Sequence, residues 1–155
     1  MHANFAQAIA QLEPAFQALL AMGPAKPLAL PTHVPASGVY LLYEGPKHLY
    51  VGRSKRIKKR LANHCRVGAS HRMAAFAFRL AREATGNLAP TYKTAGSRAA
   101  LMREPAFAAA FDAAKARIRN MEVRFVAEPD PVRQTLLEVY VGVALGTPYN
   151  DWDTH

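Results

Sequence analysis

Between Arg53 and Arg82 the sequence contains no aspartate and no glutamate. The same stretch holds ten lysines and arginines: Arg53, Lys55, Arg56, Lys58, Lys59, Arg60, Arg66, Arg72, Arg79 and Arg82. A run of like charge is ordinarily a solvated helix face, but unbalanced neighbours at helical spacing repel one another. A phosphate backbone would neutralise them and release counterions, which points to nucleic acid. The whole chain leans the same way, with 20 basic against 11 acidic residues, a net charge of +9 and a pI near 10.1. An anionic membrane surface is the weaker alternative. Other scarcities narrow the class further. The single cysteine, Cys65, forms no internal disulfide and no thiolate metal cage, which fits a reducing compartment. No apolar run approaches the roughly 20 residues of a spanning helix. Glu13 and Pro14 interrupt the N-terminal apolar stretch, so it does not read as a signal peptide, and the protein is expected in the cytoplasm without membrane contact. At 155 residues, one domain with one sizeable core is the default.

Periodicity sets the expected elements. Phe5, Ile9, Leu12, Phe16 and Leu19 recur at alternating spacings of three and four, which predicts a helix over 2–22, bent at Pro14. "GPAKPLALPTHVPASG" then reads as an extended linker, making 1–30 a helix and the start of a linker ahead of a domain over 31–155. "GVYLLY" and "HLYVG", separated by "EGPK", read as a β-hairpin. A helix capped by Ser54 should run to Cys65, a second from Ser70 to Gly86 and a third through "EPAFAAAFDAAKARIRN", with a loop between the last two. "MEVRFVAE" alternates as a third strand, and "VRQTLLEVYVGVAL" is a final helix stopped by Gly146. The expected class is α+β.

Glu138 is anomalous in that last helix, because apolar residues flank it on both sides. Burying a lone carboxylate costs several kcal/mol unless it is paired or metal-bound. It either turns to a solvent stripe, pairs with a cation such as Arg60, or holds a Mg²⁺ that keeps most of its waters and takes other ligands from phosphate.

"GVY" at 38–40 and "YVG" at 50–52, Arg60 eight residues past Gly52, His64 one turn later, Glu138 on a later helix and Asn150 twelve residues beyond it together resemble the GIY-YIG nuclease family. Valine replaces isoleucine in both name motifs, a change that keeps a β-branched residue in each strand. The resemblance covers 37–66 and 121–151. It implies a small three-stranded antiparallel sheet flanked by helices, and a metal-dependent endonuclease cutting DNA phosphodiester bonds with Mg²⁺ or Mn²⁺. By that likeness Tyr40 takes the proton from an attacking water, Tyr50 orients the water and a phosphate oxygen, and Arg60 stabilises charge on the phosphate. Glu138 is the lone metal ligand. His64 contacts the phosphate or assists the tyrosine, or else is a hydrogen-bonded structural histidine, while Asn150 and Gly52 support the site. Nearby cations would have to favour the Tyr40 phenolate, and the basic helix is expected to supply them.

Around this core, Arg53, Lys55, Arg56, Lys58, Lys59 and Arg72 are candidate phosphate contacts. The segment 67–120 is a helical insert larger than a bare nuclease needs. Its arginines, including Arg98, Arg117 and Arg119, together with Lys93, Phe76, Phe78 and Tyr92, either hold and stack on DNA or pack the insert. "DWDTH" has acids and a histidine in metal-like order, but at a chain end. The alternative from another class is a non-catalytic nucleic-acid-binding module on the same fold. Whether the substrate is single-stranded, branched or duplex is open.

Overall fold

A computed structural model describes residues 1–88 and 97–153. In chain order its elements are α1 Ala3–Ile9, α2 Leu12–Ala21, β1 Gly38–Glu44, β2 Lys47–Ser54, α3 Ile57–Cys65, α4 Ala75–Thr85, α5 Arg98–Met102, α6 Pro105–Asn120, β3 Glu122–Ala127 and α7 Pro131–Leu145. The class is α+β with one small antiparallel sheet, as expected. The chain divides into two compact units, one of Met1–Arg60 with the chain from Met121 onward, the other Leu61–Asn120.

In the first unit the sheet order is β2-β1-β3, so the strand bearing "GVY" is central and the one bearing "YVG" lies at an edge. The hairpin closes through Gly45 and Pro46, and Gly45 has the positive φ (55°) that tight primed turns require at their first position. Strand alternation divides the residues of β1. Val39, Leu41 and Tyr43 join Val51, Leu19, Leu137 and Val141 in the core, where α2 and α7 cover the sheet. Tyr40 and Leu42 therefore point to the other face. Asp130 caps α7, its carboxylate accepting from the Arg133 N–H at 2.8 Å, and Gly146 ends the helix in a left-handed conformation.

The N-terminal segment does not stand apart from this unit. Leu19 is fully buried in the core, with Leu12, Ala15, Phe16 and Leu20 packed against it. Burial of that kind is worth roughly 1.5–3 kcal/mol per large apolar side chain, which ties α2 to the sheet. The helix predicted over 2–22 is two helices, and the break falls at Ala10 and Gln11 rather than at Pro14. Pro14 sits in the first turn of α2, where a missing N–H costs nothing. Phe5, counted in the apolar stripe, is 48% exposed. The proline-rich linker also pairs with the sheet: Ala25 and Val123 exchange both backbone hydrogen bonds, at 3.1 and 2.8 Å.

The second unit is a helical cluster in which α4, α5 and α6 pack around Phe78, Phe107 and Phe111. Its expected loop contains a short helix, α5, capped by Ser97. Ser70 does not cap α4, which starts five residues later; the Ser70 carbonyl instead accepts from the Met73 and Ala74 N–H groups. Ser54 likewise ends β2 rather than capping α3, its hydroxyl accepting from the Arg56 N–H at 2.9 Å. Among the described residues no helix is long and apolar enough to cross a membrane.

Candidate active site

Three of the residues singled out from the sequence meet within the first unit, and a fourth lies near them. Tyr40 projects from β1 and Tyr50 from β2, with ring centroids 6.3 Å apart and planes inclined at 38°. The Arg60 guanidinium, from α3, donates hydrogen bonds to both phenol oxygens. Glu138, from α7, is near enough for its charge to act on both phenols. Residues that lie far apart in the chain are brought together because the sheet pairs β1 with β2, while α7 packs on the same two strands.

The close packing of Tyr40 depends on the glycine of "YVG". Tyr40 and Gly52 are cross-strand partners, and the distal end of the Tyr40 ring lies over Gly52. A Cβ there would sit 2.3 Å from the Tyr40 hydroxyl and 2.4 Å from Cζ. Glycine leaves room for the end of the ring against the edge strand. Asn150 braces the same strand from outside. Its Oδ1 accepts from the Val51 N–H at 2.9 Å and its Nδ2 donates to the Val51 carbonyl at 2.7 Å, while the Tyr149 N–H donates to the Leu49 carbonyl at 3.1 Å. The C-terminal segment thus satisfies an edge that would otherwise present open backbone groups. Of the two support roles open to Asn150, this geometry gives the structural one.

The electrostatics correct one expectation. Tyr40 is 1% exposed, and burial, followed by the neighbouring Tyr50, pushes its hydroxyl pKa well above the ordinary value in spite of the opposing Arg60 charge. Tyr50 is raised for the same leading reason. Of the basic run only Arg60 reaches the phenols, since Lys55, Arg56, Lys58 and Lys59 are exposed to solvent, and its pull towards a phenolate is too small to prevail. Desolvation of a buried ring outweighs one guanidinium. Both tyrosines are neutral phenols at neutral pH.

Glu138 is not paired with Arg60, the partner considered from sequence, but with Arg53. The Arg53 Nε donates to Glu138 Oε2 at 3.1 Å, with the two side chains 44% and 19% exposed. Burial raises the Glu138 pKa and Arg53 opposes the rise. No sequence signal pointed to this pair, since the contact depends on α7 lying beside β2. Glu138 could hold a divalent cation here as a carboxylate ligand, which suits Mg²⁺ or Mn²⁺ completing its shell with water and phosphate oxygens. Among the described residues no group of three or more His, Cys, Asp or Glu side chains clusters as a metal cage.

The remaining candidates divide. Arg53, Lys55, Arg56, Lys58, Lys59 and, in the second unit, Arg72 are all exposed, as phosphate contacts need to be. His64 belongs to the second unit, fully buried, its ring edge-on to Phe76 at 6.3 Å, a setting that fits packing. Its Nδ1 makes no hydrogen bond among the described residues, so that atom does not supply the hydrogen bond expected of a structural histidine. Phe76 and Phe78 are buried and so do not stack on bases. Arg98 lies over the Phe78 ring at 4.8 Å and donates to the His71 carbonyl, and Arg119 donates to the Cys65 carbonyl, so both serve the insert's own packing. Burial pushes the Cys65 thiol up to about 11, in keeping with an unreactive core residue. Tyr92 and Lys93 lie outside the described residues, as do Thr154 and His155 of "DWDTH". Trp152 of that motif packs on α7, where a Cβ at Gly142 would lie 2.5 Å from its ring. No protein-family model, no curated protein and no solved structure matches this chain.

Proposed function

We propose that this chain is a metal-dependent endonuclease of the GIY-YIG type, hydrolysing DNA phosphodiester bonds by attack of an activated water. The observation that carries the reading is the shared guanidinium: one permanently charged planar donor, Arg60, holds two phenols from adjacent strands, and the Glu138 carboxylate is near enough for its charge to act on both. Phosphodiester hydrolysis places growing negative charge on the phosphate oxygens, and a rigid fork of N–H donors suits that charge. Tyr50, the more exposed phenol, is the one to orient water and a phosphate oxygen by hydrogen bonding. Tyr40 can accept the water's proton only by becoming a phenolate first or passing its own proton on in the same step, so the Arg60 charge at its hydroxyl is what makes the step accessible in a buried setting. A divalent cation at Glu138 would supply charge for the phosphate and the 3′ leaving oxygen. The exposed cations Lys58 and Lys59 supply sequence-independent contacts.

A second reading, a nucleic-acid-binding module without catalysis, is favoured by one observation, the engagement of Glu138 by Arg53. The deciding experiment incubates the purified protein with labelled single-stranded, duplex and branched DNA, with and without Mn²⁺, alongside binding titrations. Metal-dependent cutting is expected from the wild type. Glu138→Ala should bind DNA without cutting it, and Arg60→Ala should lose cutting and some affinity. Lys58→Ala with Lys59→Ala should weaken binding to every sequence and flatten its salt dependence by about 0.9 for each phosphate no longer neutralised. Tight, salt-sensitive binding with no cutting of any substrate would establish the second reading, and wild-type cutting by Glu138→Ala would remove the one-metal mechanism.

A further inference from the structure

We propose that Arg53 is a positioning residue that couples metal binding to nucleic-acid binding: it holds the Glu138 carboxylate until a phosphate of the bound strand takes its guanidinium, and a divalent cation then binds to Glu138. This inference rests on the nuclease reading above and adds an interdependence between its two ligands.

The geometry supports the exchange at both ends. Arg53 meets Glu138 through Nε, so the four N–H bonds of its two terminal amino groups take no part in that contact. Those groups form the bidentate face with which arginine engages phosphate. The Arg53 side chain is 44% exposed on the edge strand, whereas Glu138 is only 19% exposed. The arginine is therefore the partner that solvent and a bound strand can reach, and the carboxylate the one set deeper. A half-exposed ion pair of this kind is weak, so little holds Arg53 against a phosphate acceptor. Meanwhile a guanidinium beside the lone carboxylate cancels the charge that would attract a divalent cation, and it repels the cation directly. Removing Arg53 from Glu138 therefore raises metal affinity, and a strand that draws Arg53 away does the same. By linkage, whatever factor the strand adds to metal affinity the metal adds to strand affinity. A merely structural pair, tying α7 to β2, would lower stability when broken and leave the two ligands independent.

The test measures Mn²⁺ binding directly, from the electron paramagnetic resonance signal of the free ion, with and without a saturating oligonucleotide whose phosphorothioate linkages resist cutting. In the absence of the oligonucleotide Arg53→Gln should bind Mn²⁺ about tenfold more tightly than the wild type, a typical size for coupling between sites. Adding the oligonucleotide should raise wild-type affinity about tenfold and that of Arg53→Gln by much less. Arg53→Lys, which keeps the charge without the Nε contact, should fall between the two and guards against a folding defect in the glutamine variant. Equal Mn²⁺ affinity in wild type and Arg53→Gln, or an equal response to the oligonucleotide, overturns the coupling; if Glu138→Gln still abolishes Mn²⁺ binding, the nuclease reading stands without it. Mn²⁺ binding that survives Glu138→Gln, or no Mn²⁺ binding by any variant, overturns both.

Discussion

The hydroxyl end of Tyr40 lies directly over Gly52, its partner on the neighbouring strand, at a distance that leaves no room for a Cβ. The central strand thereby delivers a phenol across the edge strand, to where Arg60 holds it beside Tyr50. Two residues of the sequence pattern that look like separate marks, the tyrosine of "GVY" and the glycine of "YVG", form one steric unit.

Gly52→Ala should consequently cost about 1–3 kcal/mol, the usual penalty for overpacking a filled site. The ladder between β1 and β2 keeps the backbone from yielding, so the ring must move and cutting should disappear with it. Chemical denaturation of a double-mutant cycle checks the cause. In a Tyr40→Ala background the alanine at 52 should cost far less, because the ring it collides with is gone. The same penalty in both backgrounds would trace the strain to the strand itself.

Asn150 predicts a stability effect separable from metal binding. Asn150→Ala removes a donor and an acceptor from the Val51 backbone, with an expected cost of about 1–3 kcal/mol. Asn150→Asp should be no better, since it sets a carboxylate oxygen against the Val51 carbonyl. Melting curves measure the loss, and Mn²⁺ titration of the still-folded variant should give the wild-type affinity. A large fall in Mn²⁺ affinity without a fall in melting temperature would assign Asn150 to the metal's surroundings.

Alkaline pH should unfold the protein in part through Tyr40. Its folded pKa lies well above the ordinary value of about 10, so between the two values the folded state keeps a proton that the unfolded chain releases. Stability is therefore fully present below pH of about 10 and falls as the pH climbs towards the folded value. Denaturation midpoints at pH 9 and 11 should diverge in the wild type. Tyr40→Phe should show a smaller difference, although it is less stable at pH 9 for want of the Arg60 hydrogen bond. An equal drop in both proteins would exclude Tyr40 as the source.

Much of the fold was legible because its signals are local. Alternation marked β3, Gly-Pro marked the hairpin turn, and Pro105 and Gly146 marked a helix start and a helix end almost to the residue. The misreadings also have local causes. A continuous apolar stripe concealed the break at Ala10 and Gln11, and α5 was too short to register as a period. Serines offered themselves as caps at 54 and 70, but strand pairing and a tight turn claimed those positions.

What the sequence determined by itself is the set of chemical groups and their order: two tyrosines on a hairpin, an arginine one helix later, a carboxylate in an apolar helix and a stretch free of acids. Pattern suffices there, because periods of two and 3.6 are properties of the local backbone. Tertiary structure alone decided what state those groups are in. Burial made Tyr40 a neutral phenol against the pull of Arg60, and the packing of α7 beside β2 gave Glu138 to Arg53. Both outcomes depend on solvent exclusion and on distances between residues remote in the chain, and neither quantity exists until the chain has folded.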